Sequence, residues 1–164
     1  MASWWERHGV PRLIKCACSQ GQIMKVRSKV VPHARGHVLE LGCGGGINLE
    51  FYRPGQIESF SGLDPSPELL AMSVASAAAR GIEADIREGV GEAMPFASGS
   101  FDTVVTTFTL CSVGDQAAVL GEIRRVLKPG GTALFLEHGG APDAGVAKWQ
   151  RRIEPLWKRI GGNC

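Results

Sequence analysis

Residues 38–46 read V-L-E-L-G-C-G-G-G, a short apolar run that ends in four glycines among five positions. The run Val38–Leu41 is typical of a buried strand. Glycine loses more conformational freedom on folding than any other residue, so glycines clustered after a strand carry a cost. We therefore expect this turn to need backbone conformations, or open space, that side chains would exclude.

The chain outside this stretch alternates strand and helix patterns. Strands are predicted at His37–Leu41, Ser59–Leu63, Glu83–Arg87, Thr103–Thr109 and Thr132–Leu136. Helices are predicted at Ile47–Tyr52, Pro65–Arg80, Asp115–Leu127 and Ala144–Ile160, the last with a kink at Pro155. This alternation predicts an α/β fold with a doubly wound, Rossmann-like and mostly parallel sheet. Ligands bind such sheets beyond the carboxyl ends of the strands.

The glycine turn has an acidic partner at the end of the second predicted strand. Asp64 lies twenty residues after Gly44, where a carboxylate accepts hydrogen bonds from ribose hydroxyls in nucleoside-binding folds. The alternative is a flexible turn, with Asp64 serving only to cap the helix that follows. The series of strand, glycines, helix, strand and acid favours a nucleoside cofactor.

The spacing of the glycines bears on which cofactor binds. A dinucleotide fingerprint, G-x-G-x-x-G, would need a third glycine where the chain has Ile47. The chain has G-x-G-x-G, with Gly46 last and the acidic Glu40 two residues before the first glycine. This pattern favours a smaller nucleoside with a cationic amino-acid tail over a nicotinamide dinucleotide.

The same stretch resembles motif I of the class I S-adenosylmethionine (SAM)-dependent methyltransferases. Further matching stretches follow in order over roughly residues 36–140: G-L-D-P-S-P at 62–67, G-E-A-M-P-F at 91–96, G-S-F-D-T-V-V at 99–105 and E-I-R-R-V-L-K-P-G-G at 122–131. The resemblance implies SAM as cofactor, S-adenosylhomocysteine as product, and a sheet that has seven strands in the family.

The resemblance also implies roles for individual residues. Glu40, Gly42, Gly44 and Gly46 would surround the methionine portion of SAM, and Asp64 would hold the ribose. The adenine would lie beside Pro65, with Gly91 and Glu92 at its far edge, and Thr109 and Leu110 would face the sulfonium and the acceptor. One departure is Val90, where the family usually has an Asp near the adenine amino group.

Two stretches, T-L-C-S-V at 109–113 and F-L-E-H-G at 135–139, are similar to a narrower group related to the alkyl thiol methyltransferases. This similarity implies a small, lipophilic methyl acceptor, either a thiol or an amine, phenol or lipid. The family's last two strands form a hairpin, and this chain ends before it. The alternative is therefore a SAM-binding protein that lacks turnover of its own.

Two side chains, His138 and Cys111, are candidates for chemistry beyond cofactor binding. His138 follows the fifth predicted strand and is the candidate base, since histidine titrates near neutral pH; a loop histidine of no catalytic role is the alternative. Cys111 either lines the acceptor pocket or is a small buried apolar residue, and Cys43 is expected to pack. The cysteine spacing predicts no metal site and fits a reducing cytoplasm.

Charge is unevenly distributed along the 164 residues, whose net charge is +2. Residues 1–36 form a basic amphipathic segment of net charge +6, residues 37–142 a core of −7, and residues 143–164 a last basic helix of +3. Tryptophans among the basic ends predict contact with an anionic membrane surface. No nucleic-acid motif is present, and the fifth strand is expected to leave an open edge for self-association.

Overall fold

The computed structural model describes residues 20–137 and, beyond them, Asp143, Gly145, Val146, Lys148, Trp149, Arg152 and Ile153. The N-terminal residues 1–19, His138 and most of the predicted last helix, including Pro155, lie outside the described residues. Membrane contact by the two basic ends therefore stays a prediction. Of the helices described, none is long and apolar enough to cross a bilayer.

Within the described residues, five parallel strands form one sheet. They are β1 (Gly36–Leu41), β2 (Ile57–Asp64), β3 (Ala84–Glu88), β4 (Phe101–Thr107) and β5 (Leu127–Leu136), in the spatial order β3-β2-β1-β4-β5. The chain builds outward from β1 to β3 and then returns to place β4 on the other side of β1. Because the order reverses between β1 and β4, their carboxyl ends flank the crevice where ligands bind in open α/β sheets. The predicted fold class is confirmed.

One helix precedes β1, and two others connect β2 to β3 and β4 to β5. They are α1 (Gly21–Val30), α2 (Pro67–Ala78) and α3 (Gln116–Val126), with short 3-10 turns at Val31–His33, Ile47–Glu50 and Pro54–Gln56. Side chains define the starts of two helices, because Ser66 accepts a hydrogen bond from Leu69 N and Asp115 accepts one from Ala118 N. Residues 47–52, which were predicted to form a helix, contain the short 3-10 turn Ile47–Glu50 instead.

The start of β5 differs from the prediction. Lys128-Pro-Gly-Gly131 was expected to separate a helix from a strand that begins at Thr132, but β5 begins at Leu127, which pairs with Phe101. The next pair joins Thr103 to Thr132, so residues 128–131 of β5 lie opposite Asp102 alone and the register shifts there. Gly130 takes a left-handed φ of 81°, which explains why a glycine sits within the strand.

Apolar side chains of β1 are buried on both faces of the sheet. Leu39 and Leu41 pack with Val119 and Ile123 of α3 on one face. Val38 packs on the other face, in a cluster that contains Leu49 and Tyr52. A central strand covered on both sides needs a continuous apolar run rather than an alternating one, as the sequence shows.

The outer edge of β5 supplies a prediction about association. Among the described residues β5 pairs with β4 alone, and its Phe135 is 43% exposed. Unpaired strand edges invite pairing with another chain, and a lysine on the edge opposes it. We expect the 164-residue chain to self-associate with rising concentration, and Phe135→Lys to reduce this association.

Light scattering over a concentration series measures this association. Leu120→Lys is the matched control, since Leu120 is 46% exposed on α3 and away from the edge. Monomers at every concentration, or equal effects of the two substitutions, would show that the edge of β5 does not drive association.

Candidate active site

The glycine turn follows the carboxyl end of β1 and folds back over β2. Gly42, Gly44 and Gly46 have φ values of 68°, 50° and 73°, in the left-handed region that residues with a Cβ rarely adopt. The backbone N–H groups of Gly42 and Cys43 both donate to the carbonyl of Leu63, at 2.8 and 3.2 Å. The conformation of the turn therefore explains the glycines that the sequence singled out.

The three glycines differ in what surrounds them. A methyl group at Gly42 would overlap the side chain of Thr109, and one at Gly46 would press on Leu49 and on the backbone of Ser73. A methyl group at Gly44 would meet nothing within 4 Å. Gly42 and Gly46 thus allow close packing, whereas Gly44 borders open space that a ligand can enter.

Asp64 ends β2 and is tied to the glycine turn. Its two carboxylate oxygens accept hydrogen bonds from Gly44 N at 2.9 Å and from Ser66 N at 3.0 Å. The side chain is buried, and burial raises its pKa. Ser66 rather than Asp64 caps α2, so the interpretation of Asp64 as a simple helix cap is wrong. Two oxygens with four acceptor positions leave room for further donors.

Glu40 lies beneath the glycine turn rather than in the open space beside Gly44. It is 2% exposed, and its carboxylate accepts hydrogen bonds from Asn48 Nδ2 at 2.9 Å and from the hydroxyl of Tyr52 at 2.7 Å. Burial raises the pKa of Glu40 from its usual value near 4.5 to about 7, against the opposing effect of these hydrogen bonds. The residue therefore changes charge near neutral pH.

Arg27 of α1 completes this buried cluster. Its Nη1 donates to Asn48 Oδ1 at 2.6 Å and to Thr107 Oγ1 at 2.7 Å, and its guanidinium lies 4.9 Å from the ring centre of Phe108. Asn48 also donates to Thr107, so one network joins α1 to the residues that follow β1 and to the end of β4. We name Arg27, Glu40, Asn48, Tyr52 and Thr107 the polar floor.

Gly91 and Glu92 lie in the loop after β3. Gly91 is buried against Leu41 and Val119, while Val90 is 49% exposed. The carboxylate of Glu92 accepts hydrogen bonds from two backbone N–H groups just before α3, Gly114 N at 2.8 Å and Asp115 N at 3.2 Å. The hydrogen bond from Asp115 N lowers the pKa of Glu92 most. Glu92 thus fixes the loop after β3 to the residues just before α3.

Thr109, Leu110 and Cys111 form the loop after β4. Thr109 Oγ1 donates to the carbonyl of Leu41 at 3.3 Å, which brings this loop against the glycine turn. Cys111 is exposed, so its interpretation as a buried apolar residue is wrong, whereas Cys43 is buried and packs over Gly62 as expected. Burial also raises the pKa of the Cys43 thiol, which leaves it protonated.

Pro65, His138 and the absence of a metal site are the remaining predictions made from the sequence. Pro65 is exposed next to Asp64, at the mouth of the crevice. His138, the candidate base, lies outside the described residues. Within residues 20–137 and the few described beyond them, no three His, Cys, Asp or Glu side chains come together as a metal site would require.

Sequence reasoning did not identify four polar residues of this region: Arg27, Asn48, Tyr52 and Glu137. Arg27 was read as one of many basic residues near the N-terminus, and Asn48 and Tyr52 as parts of a short helix. Glu137 lies within F-L-E-H-G, a stretch used only for its similarity to a narrower group. An acid that directly follows a strand, as Glu137 follows β5, was the available signal.

A sequence profile described as a methyltransferase domain matches residues 39–135, which contain the glycine turn, Asp64 and the loop after β4. The chain belongs to this methyltransferase family. The resemblance to class I SAM-dependent methyltransferases is therefore confirmed, and every residue of the polar floor except Arg27 lies within the matched residues.

Curated relatives and solved structures extend this result. The chain is 42% identical over 131 residues to thiol S-methyltransferase TMT1B of Homo sapiens, covering 77% of this chain and 53% of that protein. It is 36% identical over 134 residues to demethylmenaquinone methyltransferase of Thermus thermophilus, covering 77% and 60%. A SAM-dependent methyltransferase structure from Aquifex aeolicus has a TM-score of 0.64 at 16% identity, covering 92% and 87%. That structure shows the fold alone.

The length of the match limits what these relatives show. The chain spans about half the length of thiol S-methyltransferase TMT1B, and 60% of the Thermus protein. The match shows the family to which this domain belongs. The activity and the methyl acceptor named for the full-length relatives are properties of those proteins.

The buried Glu40 predicts how stability depends on pH. Because the pKa of Glu40 is about 7 in the folded protein and near 4.5 when exposed, the folded state keeps a proton that the unfolded chain releases. The free energy of unfolding should therefore fall as pH rises from 4.5 to 7, with a contribution from Glu40 of about 3 kcal/mol. The raised pKa of Asp64 acts in the same direction.

Urea denaturation of the wild type and Glu40→Gln at several pH values measures this contribution, which the substitution should remove. Glu122→Gln is a control of opposite sign, because the hydrogen bond from Arg125 lowers the pKa of Glu122. An identical pH dependence in wild type and Glu40→Gln would contradict the raised pKa of Glu40.

Proposed function

We propose that this chain binds SAM at the glycine turn and transfers its methyl group to a small lipophilic acceptor. The observation that carries the proposal is Asp64, a buried carboxylate anchored by Gly44 N at 2.9 Å and bordered by the open space at Gly44. A carboxylate with spare acceptor capacity at the end of β2 suits two neighbouring ribose hydroxyls.

The residues of the crevice fit SAM as cofactor. When bound, SAM supplies a methyl group on a sulfonium sulfur that leaves as a neutral thioether, so the leaving group needs no acid. Gly42, Gly44 and Gly46 shape the backbone around the methionine portion, and Glu40 beneath them favours its cationic amine once the carboxylate is ionised. Pro65, Gly91 and Glu92 border the adenine.

In methyl transfer from SAM, the main task of the protein is to position the reactants. In-line displacement gains about 7–11 kcal/mol from alignment alone, and exclusion of water adds to it. Thr109 and Leu110 face the sulfonium and the acceptor, Cys111 lines the acceptor side, and His138 accepts the acceptor's proton. A thiol acceptor reacts as its thiolate, a few per cent of which is present at neutral pH.

A thiol is the favoured acceptor, because thiol S-methyltransferase TMT1B is 42% identical to this chain over 131 residues. A phenolic quinone precursor is the second candidate, supported by the 36% identity to demethylmenaquinone methyltransferase. The third is SAM binding without independent turnover, since the matched relatives are considerably longer than this chain.

Cofactor binding has a direct test in Asp64→Ala. Loss of a charged hydrogen-bond acceptor should weaken SAM binding by about 1–3 kcal/mol in isothermal titration calorimetry. Asp102→Ala is the matched control, because Asp102 also accepts a backbone hydrogen bond, from His37 N at 2.8 Å, but at the amino ends of the strands. Unchanged affinity in Asp64→Ala would refute the ribose site, and tighter binding of NAD than of SAM would refute the cofactor.

The rate at which S-adenosylhomocysteine forms, measured with one candidate acceptor at a time, identifies the acceptor. The purified chain is incubated with SAM and matched thiols, phenols and amines, and we expect the product to form fastest with an alkyl thiol. Faster turnover of a phenol would favour the quinone-type acceptor. SAM binding in calorimetry without product from any acceptor would support the non-catalytic alternative and refute methyl transfer by this chain.

A further inference from the structure

Glu137 follows β5 directly and accepts three hydrogen bonds, one from the end of β4 and two from the loop after β4. Its Oε1 accepts from the hydroxyl of Thr106 at 2.6 Å. Its Oε2 accepts from the backbone N–H groups of Thr109 at 2.9 Å and Leu110 at 3.1 Å. A carboxylate directly after one strand thus fixes two successive peptide groups beyond the neighbouring strand, and charge-assisted hydrogen bonds of this kind are the stronger ones.

The loop that Glu137 holds starts from an unfavourable backbone conformation. Phe108 has a φ of 56°, in the left-handed region, which is unfavourable for a residue with a side chain. Such a conformation persists where surrounding contacts enforce it. Phe108 N donates to Leu136 O at 2.8 Å, so the bonds to β5 continue from Phe108 through Thr109 to Leu110.

The held loop meets the glycine turn on its other side. Thr109 lies so close to Gly42 that a methyl group there would overlap it, and its hydroxyl donates to the carbonyl of Leu41. A shift of Thr109 would therefore change the space beside the glycine turn. Through this residue, Glu137 fixes the distance between the two loops that flank the crevice.

We propose that Glu137 is a positioning residue for methyl transfer: it sets the loop Thr109–Leu110 against the glycine turn so that cofactor and acceptor align. This inference rests on the proposed function, because alignment matters only where a methyl group is transferred. The three hydrogen bonds assign Glu137 a role through the loop, and the Glu137→Gln variant below tests whether it also acts as a base.

The chemistry of glutamine separates these two roles. In Glu137→Gln, the amide oxygen can accept from Thr109 N and Leu110 N, while the amide nitrogen donates to the Thr106 hydroxyl, which turns to accept. The substitution thus preserves the three hydrogen bonds and removes the ability to take a proton. Glu137→Ala removes all three, and Glu137→Asp keeps the charge on a shorter side chain.

The first measurement does not depend on turnover. Hydrogen–deuterium exchange by NMR reports the amides of Thr109 and Leu110 in the full 164-residue chain. We expect exchange about 10–100-fold faster in Glu137→Ala than in the wild type, the scale of a lost hydrogen bond to a charged group. Glu137→Gln should stay close to wild type, and Glu137→Asp serves as the loss variant if the alanine variant does not fold.

The second measurement separates alignment from binding. Because a misplacement of about 1 Å can cost about 100-fold in rate, kcat of Glu137→Ala should fall by this order while SAM affinity changes little. Glu137→Gln should retain kcat. Asp102→Ala is the control, since Asp102 accepts from His37 N and from Lys128 Nζ at the opposite end of the sheet, and it should leave kcat unchanged.

The outcomes separate this inference from the proposed function. Unchanged amide exchange in Glu137→Ala and Glu137→Asp would overturn the positioning role, as would a kcat for Glu137→Gln as low as that of Glu137→Ala. Equal losses of kcat in Asp102→Ala and Glu137→Ala would also overturn it. Absence of turnover in the wild type would instead refute methyl transfer, and the exchange measurement would then decide whether Glu137 holds the loop.

Discussion

The burial of charged and polar groups at the carboxyl end of β1 is the constraint on which the rest of the site depends. Glu40 and Arg27 are 2% and 5% exposed, and an unpaired charge at such depth is strongly unfavourable. Asn48 resolves this by accepting from Arg27 and donating to Glu40, while Tyr52 satisfies the other carboxylate oxygen. The polar floor therefore requires α1, β1, the 3-10 turn after it and β4 to be in place together.

Three carboxylates hold loops at the carboxyl ends of the strands in the same way, by accepting hydrogen bonds from backbone N–H groups. Asp64 at the end of β2 binds a peptide N–H of the glycine turn, and Glu137 after β5 binds two in the loop after β4. Glu92 binds two more before α3. Loops that lack regular backbone partners gain fixed positions in this way, which suits a site whose task is alignment.

Features of the fold and site that depend on local sequence pattern were predicted from the sequence. Features that depend on contacts between residues far apart in the chain were not. Glycine spacing, buried strands and Asp64 at a strand end were readable, because left-handed turns and double burial restrict residue types at fixed positions. The start of β5 at Leu127 was missed, since the pairing of Leu127 with Phe101, ahead of a register shift, depends on a contact between strands. The burial of Arg27 was also missed, because its partners, Asn48 and Thr107, are 21 and 80 residues away.

The way in which α1 is attached has a calorimetric consequence. Among the ten residues of α1, all of which the structure describes, Arg27 alone is buried. Ile23, Met24 and Val30 of the same helix are half-buried. Detachment of α1 would thus expose a guanidinium together with parts of three apolar side chains, and polar surface lowers the heat capacity whereas apolar surface raises it. Because these two contributions oppose each other, opening of this helix should change the heat capacity less, per residue, than unfolding of the sheet, whose buried side chains are mostly apolar.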